Sequence, residues 1–463
     1  MPNLVVYDTE TTTNMSGPEK DFNQVIQIAS ILYDQDLNKE DSFNFSCSPL
    51  PWSLFSPGAL LTNKKIDAFD NEITHYQLIK STWEKWKSWT DFSDSIFISY
   101  NGDMFDEEVM RRQFFWNLID PYFTSREPRS RLDVLPKLFP LAIFYKNDFD
   151  LPYVDKKVSF KLENIAKSYG IDTTDAHDAY ADCIFLYELI KQIKKNVPNY
   201  FEEIISTTNK IKKIEHLTRN EIHFDCTRYG NNNPVYVFSS ANISNQLLVS
   251  FNLNFDPTDY FDLSYSELEH LINSKKTSPF KKINVSRSNS LISLETLNKD
   301  NVKIENLDLY RKNRDIIKEN KNFLDKVLDI FNNKTYESKP TDIPEQSLYS
   351  GGFLTKKDID IFNKFHDESN LDEKIKIINS LDDDRYIQFA KRICAQEFPD
   401  TAPQDYLIHC RNLVVERFNE KGPWPDADKY LGDANKLLDD ISSDEDKKLV
   451  NASIDQINKN RIN

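Results

Sequence analysis

At 463 residues the chain is longer than one ordinary hydrophobic core supports, so two to four domains are expected. Hydrophobic residues at 39% and aromatics at 13% exclude a disordered chain and supply ample material for packed cores. A net charge of −16 excludes a protein that coats nucleic acid by bulk attraction, and any such site must be a local basic track.

The first fifty residues read as three strands, "NLVVYDTETT", "NQVIQIASILYD" and "DSFNFSC", rich in Val, Ile and Phe and bounded by Asn, Gly and Pro. In the first, Asp8 and Glu10 stand one residue apart behind an apolar run. Strand side chains alternate between faces, so the two carboxylates project side by side. Proteins tolerate that when a cation lies between them, and Mg2+ or Mn2+ favours carboxylate oxygens. Taken alone, the pair also reads as a strand running into an acidic turn. "HYQLIKSTWEKWKSWTDF" carries apolar residues at helical spacing, "SIFISYNG" returns to a strand, and Asp106 opens a helix over "DEEVMRRQFFWNLI". Helices follow at "FKLENIAKSYG", with Gly170 as its cap, and at "HDAYADCIFLYELIKQIKKN". This order describes an α/β domain over residues 1–195.

From about 200 the character changes. "NNNPVYVFSS", "NQLLVSFNLNF" and "FKKINVSRSNSLISL" are short β-type runs between Asn and Pro turns, which predicts a small β-rich domain over 196–350. Beyond "LYSGGF" the chain shows helical periodicity almost throughout, including one long run over "ANKLLDDISSDEDKKLVNASIDQINKN", and predicts a helical domain over 351–463. Five scattered cysteines without C-x-x-C spacing suggest neither a disulfide framework nor a zinc site and fit a reducing cytosol. No run of about 18 apolar residues marks a membrane span. No basic region precedes the first apolar run, so a signal peptide is not expected either.

The opening pair gains support downstream. Asp106 delivers a third acid from the end of another strand. In "AHDAYADC", His177 precedes Asp182 by five residues, so that a helix fixes the acid while the imidazole at its start can take a proton from water near neutral pH. Singly, His177 reads as a cap or surface residue. The order Asp8-x-Glu10, Tyr100-Asn101 with Phe105-Asp106, and His177-x-Ala179-x-x-Asp182 resembles the DEDDh class of 3′→5′ exonucleases on an RNase-H-like fold. "SYNGDMFDEEVMRRQFFWNLIDPY", "SFKLENIAKSYGI", "AHDAYADC", "LYSGGF" and "FPDTAPQDYLIHCR" resemble the exodeoxyribonuclease I family, with matches from residue 4 to about 417.

That resemblance implies an exonuclease domain, then an SH3-like β-rich domain, then an all-α domain, together C-shaped around single-stranded DNA. It implies removal of 5′-mononucleotides from the 3′ end with two Mg2+ ions, Mn2+ substituting, in DNA repair and recombination. Asp8, Glu10 and Asp182 would bind the tighter metal, Asp106 would help hold the second, and His177 would be the base. Arg111 would meet a phosphate, Tyr122 would stack, and Glu10 would also touch the terminal nucleotide. Lys161 stands where the family has an arginine, which keeps the charge and loses the bidentate fork. By themselves Arg111 and Tyr122 read equally as ordinary helix surface and helix end. The segment "FTSREPRSRLDVLPK" lacks a tryptophan of the family. The local basic track is sought in Lys210, Lys212, Lys213 and Arg219, and in Lys275, Lys276, Lys281, Lys282 and Arg287, with Lys210 first. A further implied partner is the C-terminal tail of single-stranded-DNA-binding protein, although "PKLFPLAIFY" replaces the expected arginines. A cytoplasmic monomer is expected. Two other readings stay open at this point: a binding scaffold without activity, and the same chemistry on RNA.

Overall fold

The computed structural model describes residues 2–13, 18–174, 176–219, 222–239, 247–274, 278–333 and 341–461. Its first sheet has five strands, β1 (Asn3–Thr11), β2 (Val25–Tyr33), β3 (Lys39–Ser46), β4 (Ser95–Ser99) and β5 (Arg129–Asp133), in the order β3-β2-β1-β4-β5. The β1–β2 and β2–β3 pairs are antiparallel, and β1–β4 and β4–β5 are parallel. Alternation in β1 sends Leu4 and Val6 into one core with Cys183, Leu186 and Ile190 of the helix Ala179–Asn196. Val5 and Tyr7 go into the opposite core with Leu78, Trp86 and Val109. Both faces of the sheet are therefore covered. The sequence reading assigned no strand to β5, because "RSRLD" has two arginines and only Leu132 and Asp133 are buried.

Beyond the two-residue strands β6 (Tyr153–Val154) and β7 (Lys157–Val158) lies a second, antiparallel sheet. Its strands β8 (Ile222–Cys226), β9 (Asn232–Ser239), β10 (Leu247–Asn252), β11 (Phe280–Asn284) and β12 (Leu291–Ser293) run in the order β11-β10-β9-β8-β12. Among the described residues the sheet is open and does not close into a barrel. This stretch holds more helix than the sequence reading expected: Pro198–Ser206, Lys210–Arg219, Tyr265–Asn273, Leu307–Glu319 and Lys321–Asn332. Their buried faces differ: Lys321–Asn332 buries Phe323, Val327, Leu328, Ile330 and Phe331. Leu307–Glu319 buries only Asn313 and Ile317. One continuous core joins the two sheets through Tyr145, Tyr200 and Phe224.

The last third is helical as expected, from Lys356–Asp367 to Asp444–Arg461. The helical stretch after 434 is interrupted at Ile441, and Ser443 accepts the Asp446 N–H at 3.3 Å where a new helix starts. That final helix docks on the first sheet's domain. Leu449 packs with Ile26, Phe55 and Leu60, and the Ser453 hydroxyl donates to the Phe55 carbonyl at 2.7 Å. Among the described residues no helix is long and apolar enough to cross a membrane.

Candidate active site

The face of β1 that buries Leu4 and Val6 ends in Asp8 and Glu10, and the helix packed on that face carries Asp182 in its first turn. Carboxylate oxygens of Asp8, Glu10 and Asp182 lie within 4.8 Å of one another. Residues far apart in the chain thus meet because one sheet face and one helix share a core. Asp106 is buried beside them at the start of the helix Asp106–Trp116, where one of its oxygens accepts the Thr9 hydroxyl at 2.6 Å.

Each acid is held above its ordinary range. Burial raises Asp8 well up, and Asp106, Asp182 and Glu10 add repulsion. Glu10 is raised by burial and by Asp182, with Lys65 pulling the other way. Burial pushes Asp106 to about 6 against the Thr9 hydrogen bond, and pushes Asp182 to about 7 against a hydrogen bond from the His177 backbone N–H. Four crowded carboxylates repel one another when ionised. An all-oxygen donor set of this kind fits Mg2+ or Mn2+, which would remove that repulsion.

The surrounding frame is specific. Asp178 caps the helix by accepting the Tyr180 and Ala181 N–H groups, and it pairs with Lys65 Nζ at 2.8 Å while accepting Gln27 Nε2 at 2.9 Å. Asp178 is thereby committed, and His177 stands two residues ahead of the helix rather than in it. His177 is exposed, with a left-handed backbone at φ 70°, a strained state for a non-glycine residue. Gly102, in the loop before Asp106, passes Ser99 so closely that an added Cβ would collide with the Ser99 side chain. Gly102→Ala is therefore expected to displace the loop that positions Asp106 and to lower turnover more than thermal stability. Parallel kinetics and melting curves check this.

Arg111, Tyr122 and Lys210 line one cleft of about 450 Å³, together with Arg129, Arg131 and Arg287. This is a local basic track in an acidic protein. Arg111 lies 5.2 Å over the Tyr122 ring and reaches Glu107 at 3.3 Å and the Tyr349 hydroxyl at 3.3 Å. Glu107 is a buried anchor. It takes the Arg131 guanidinium at 2.7 Å, the Tyr7 hydroxyl at 3.1 Å and the Thr124 hydroxyl at 2.8 Å. Sequence reasoning missed Arg129 and Arg131, whose only signal was the spacing of arginines in "EPRSRLD".

The other basic candidates divide. Lys213 turns inward and donates to the Arg287 carbonyl at 2.9 Å, where burial pushes it down to about 7. Lys281 pairs with Asp225, Lys212 lines a neighbouring cleft, and Arg219 reaches Glu295 at 3.9 Å. Lys275 and Lys276 lie outside the described residues. Lys161 is exposed at the N-cap of the helix Leu162–Ser168 and does not line the 450 Å³ cleft.

Residues 5–190 match the family model described as Exonuclease. Exodeoxyribonuclease I of Escherichia coli K12 is 26% identical over 370 residues, covering 73% of this chain and 74% of that protein. The crystal structure of E. coli Exonuclease I in complex with a dA16 oligonucleotide is 21% identical with a TM-score of 0.79, covering 99% of this chain and 100% of that one. An ExoI/SSB-Ct complex is 21% identical with a TM-score of 0.76, covering 99% of each chain. Residues 5–190 are an exonuclease domain, and the chain that carries them is a homologue of exodeoxyribonuclease I.

Proposed function

We propose that the protein digests single-stranded DNA from its 3′ end, releasing 5′-mononucleotides, with Mg2+ as the cellular metal and Mn2+ able to replace it, and that it serves DNA repair and recombination. The convergence of Asp8, Glu10 and Asp182 from positions far apart in the chain carries this reading. Asp8, Glu10 and Asp182 would hold one ion, and Asp106, anchored by Thr9, would help hold another. Bound there, the cations supply an activated water and positive charge for the developing oxyanions. His177 accepts the proton of the attacking water at a ring nitrogen. Its strained backbone and the bond from its N–H to Asp182 support that placement, since outlier geometry collects at functional positions. Arg111 and Lys210 meet phosphates, Tyr122 stacks on a base or sugar, Lys161 grips a phosphate as a point charge, and Glu10 also touches the terminal nucleotide.

End-labelled single-stranded DNA, duplex DNA and RNA digested in parallel test the whole reading. Shortening of the single-stranded DNA alone, from its 3′ end and stopped by chelator, is expected. No degradation of any of the three would leave a binding scaffold. For Lys210→Ala, KM should rise about fivefold, corresponding to a loss of about 1 kcal/mol, with kcat nearly unchanged. The logarithmic salt dependence of binding should fall by about 0.7. A KM that stays put would remove Lys210 from the track.

We further infer that the C-terminal tail of single-stranded-DNA-binding protein docks on this chain. The likeness to the ExoI/SSB-Ct complex supports it, and fluorescence anisotropy with a tail peptide tests it. Five free thiols, four of them buried, suit a cytoplasmic location.

A further inference from the structure

We propose that Glu203, His216 and His223 form a second metal site, apart from the carboxylate cluster, which binds one zinc ion and so links three elements of the fold. A ligand atom from each lies within 4.8 Å of the other two. They come from three elements: the helix Pro198–Ser206, the helix Lys210–Arg219 and β8. Glu203 and His223 are buried, and His216 is half-buried, leaving a route from solvent.

Two of the three ligand groups are oriented by a contact outside the trio, as protein ligands to metals commonly are. His223 Nε2 faces the Leu217 carbonyl at 3.0 Å and must donate to it, which puts the lone pair of the neutral ring on Nδ1. The Glu203 carboxylate accepts the Ser293 N–H at 2.9 Å and the Ser293 hydroxyl at 2.8 Å. His216 Nε2 stands 3.0 Å from Glu203 Oε1, and the two imidazole rings have centroids 5.8 Å apart with planes inclined at 59°.

Two imidazoles and one carboxylate are a donor set for zinc with water in the fourth position. The two nitrogen donors disfavour Mg2+, which separates this site from the all-oxygen cluster around Asp8. His216 and Glu203 share one hydrogen-bond contact, and the buried His223 imidazole lies within reach of both. A zinc here would tie the helix Lys210–Arg219, whose first residue lines the basic cleft, to the preceding helix and to the second sheet.

The test uses the full-length chain carrying Asp182→Ala, so that zinc on the broken carboxylate cluster is minimised. The protein is stripped with EDTA, Zn2+ alone is added, and the metal retained after gel filtration is counted. One zinc per chain is expected, with a rise in Tm. Co2+ in its place should give the intense visible bands of a tetrahedral site. Adding His216→Gln, at a half-buried position, should lower zinc affinity at least tenfold and abolish the cobalt bands while circular dichroism stays native. Equal zinc retention with and without His216→Gln, or no retained zinc in a folded Asp182→Ala protein, overturns the proposal.

Discussion

Asp182→Ala is expected to lower cleavage of a 3′-ended single strand by about 10³-fold or more, since metal assistance supplies several kcal/mol to the transition state and each 1.36 kcal/mol is about tenfold. Stability in chelator should move the opposite way. The folded-state pKa of Asp182 is raised by burial to about 7, above that of an unfolded aspartate. Its ionisation therefore costs nothing at low pH, and the cost grows as pH rises from about 4 through 7. At pH 8 without metal, Asp182→Asn should melt a few degrees higher than the parent chain, and the difference should shrink towards pH 5. Adding Mg2+ should reverse the order, because only the parent gains from the bound ion. Normal cleavage by Asp182→Ala would show that the metal is held elsewhere. Equal melting at pH 8 in chelator would show that the four acids do not repel one another as their placement implies.

The second large effect lies where the C-terminal helices meet the exonuclease domain. His366, at the end of the helix Lys356–Asp367, donates from Nε2 to the Leu118 carbonyl at 3.0 Å, and its Nδ1 accepts the Tyr76 hydroxyl at 3.0 Å. Burial pushes it down to about 4, with Lys80, Lys374 and Lys87 adding repulsion. Nearby His75, facing Gln113 Oε1 at 2.8 Å, is likewise pushed by burial to about 4. A folded pKa below the unfolded value means that the unfolded chain binds the proton first. Stability is therefore intact above about 6.5 and is lost as pH falls from there to about 4, by about 3 kcal/mol for each imidazole. His366→Gln should cost about 1–3 kcal/mol at pH 8, through the lost fit and hydrogen bonds. It should also remove roughly half of the loss shared by the two histidines. Urea unfolding from pH 8 to pH 4 measures both, and a parent-minus-variant difference that stays flat across that window would contradict the assignment.

Much of the site was legible because its chemistry is written in short local patterns. The alternation in "LVVYDTETT" put Asp8 and Glu10 on one face, and the helix of "HDAYADC" put Asp182 in a first turn, where the structure has them. Gly170 does occupy a left-handed cap position, with φ 76°. Elements that depend on distant partners were not legible. β5 exists because β4 offers a parallel edge, and nothing in "RSRLD" itself demands a strand. Lys213 looked like surface charge and is buried, because its amine finds the Val285 and Arg287 carbonyls across the helix–sheet contact.

By itself, then, the sequence determined the acids, their alternation and helical phase, the Asn-Gly turn and the order of strand-rich and helical stretches. These rest on the covalent geometry of neighbouring residues, which is the same wherever the chain lies. Only the tertiary structure decided which charges line a cleft and which are consumed in pairs. It also decided that Glu107 is a buried anchor for Arg131, Tyr7 and Thr124, and that Glu203, His216 and His223 share one small volume. Such facts depend on which surfaces lose water together, and burial is a property of the folded whole that no local pattern encodes.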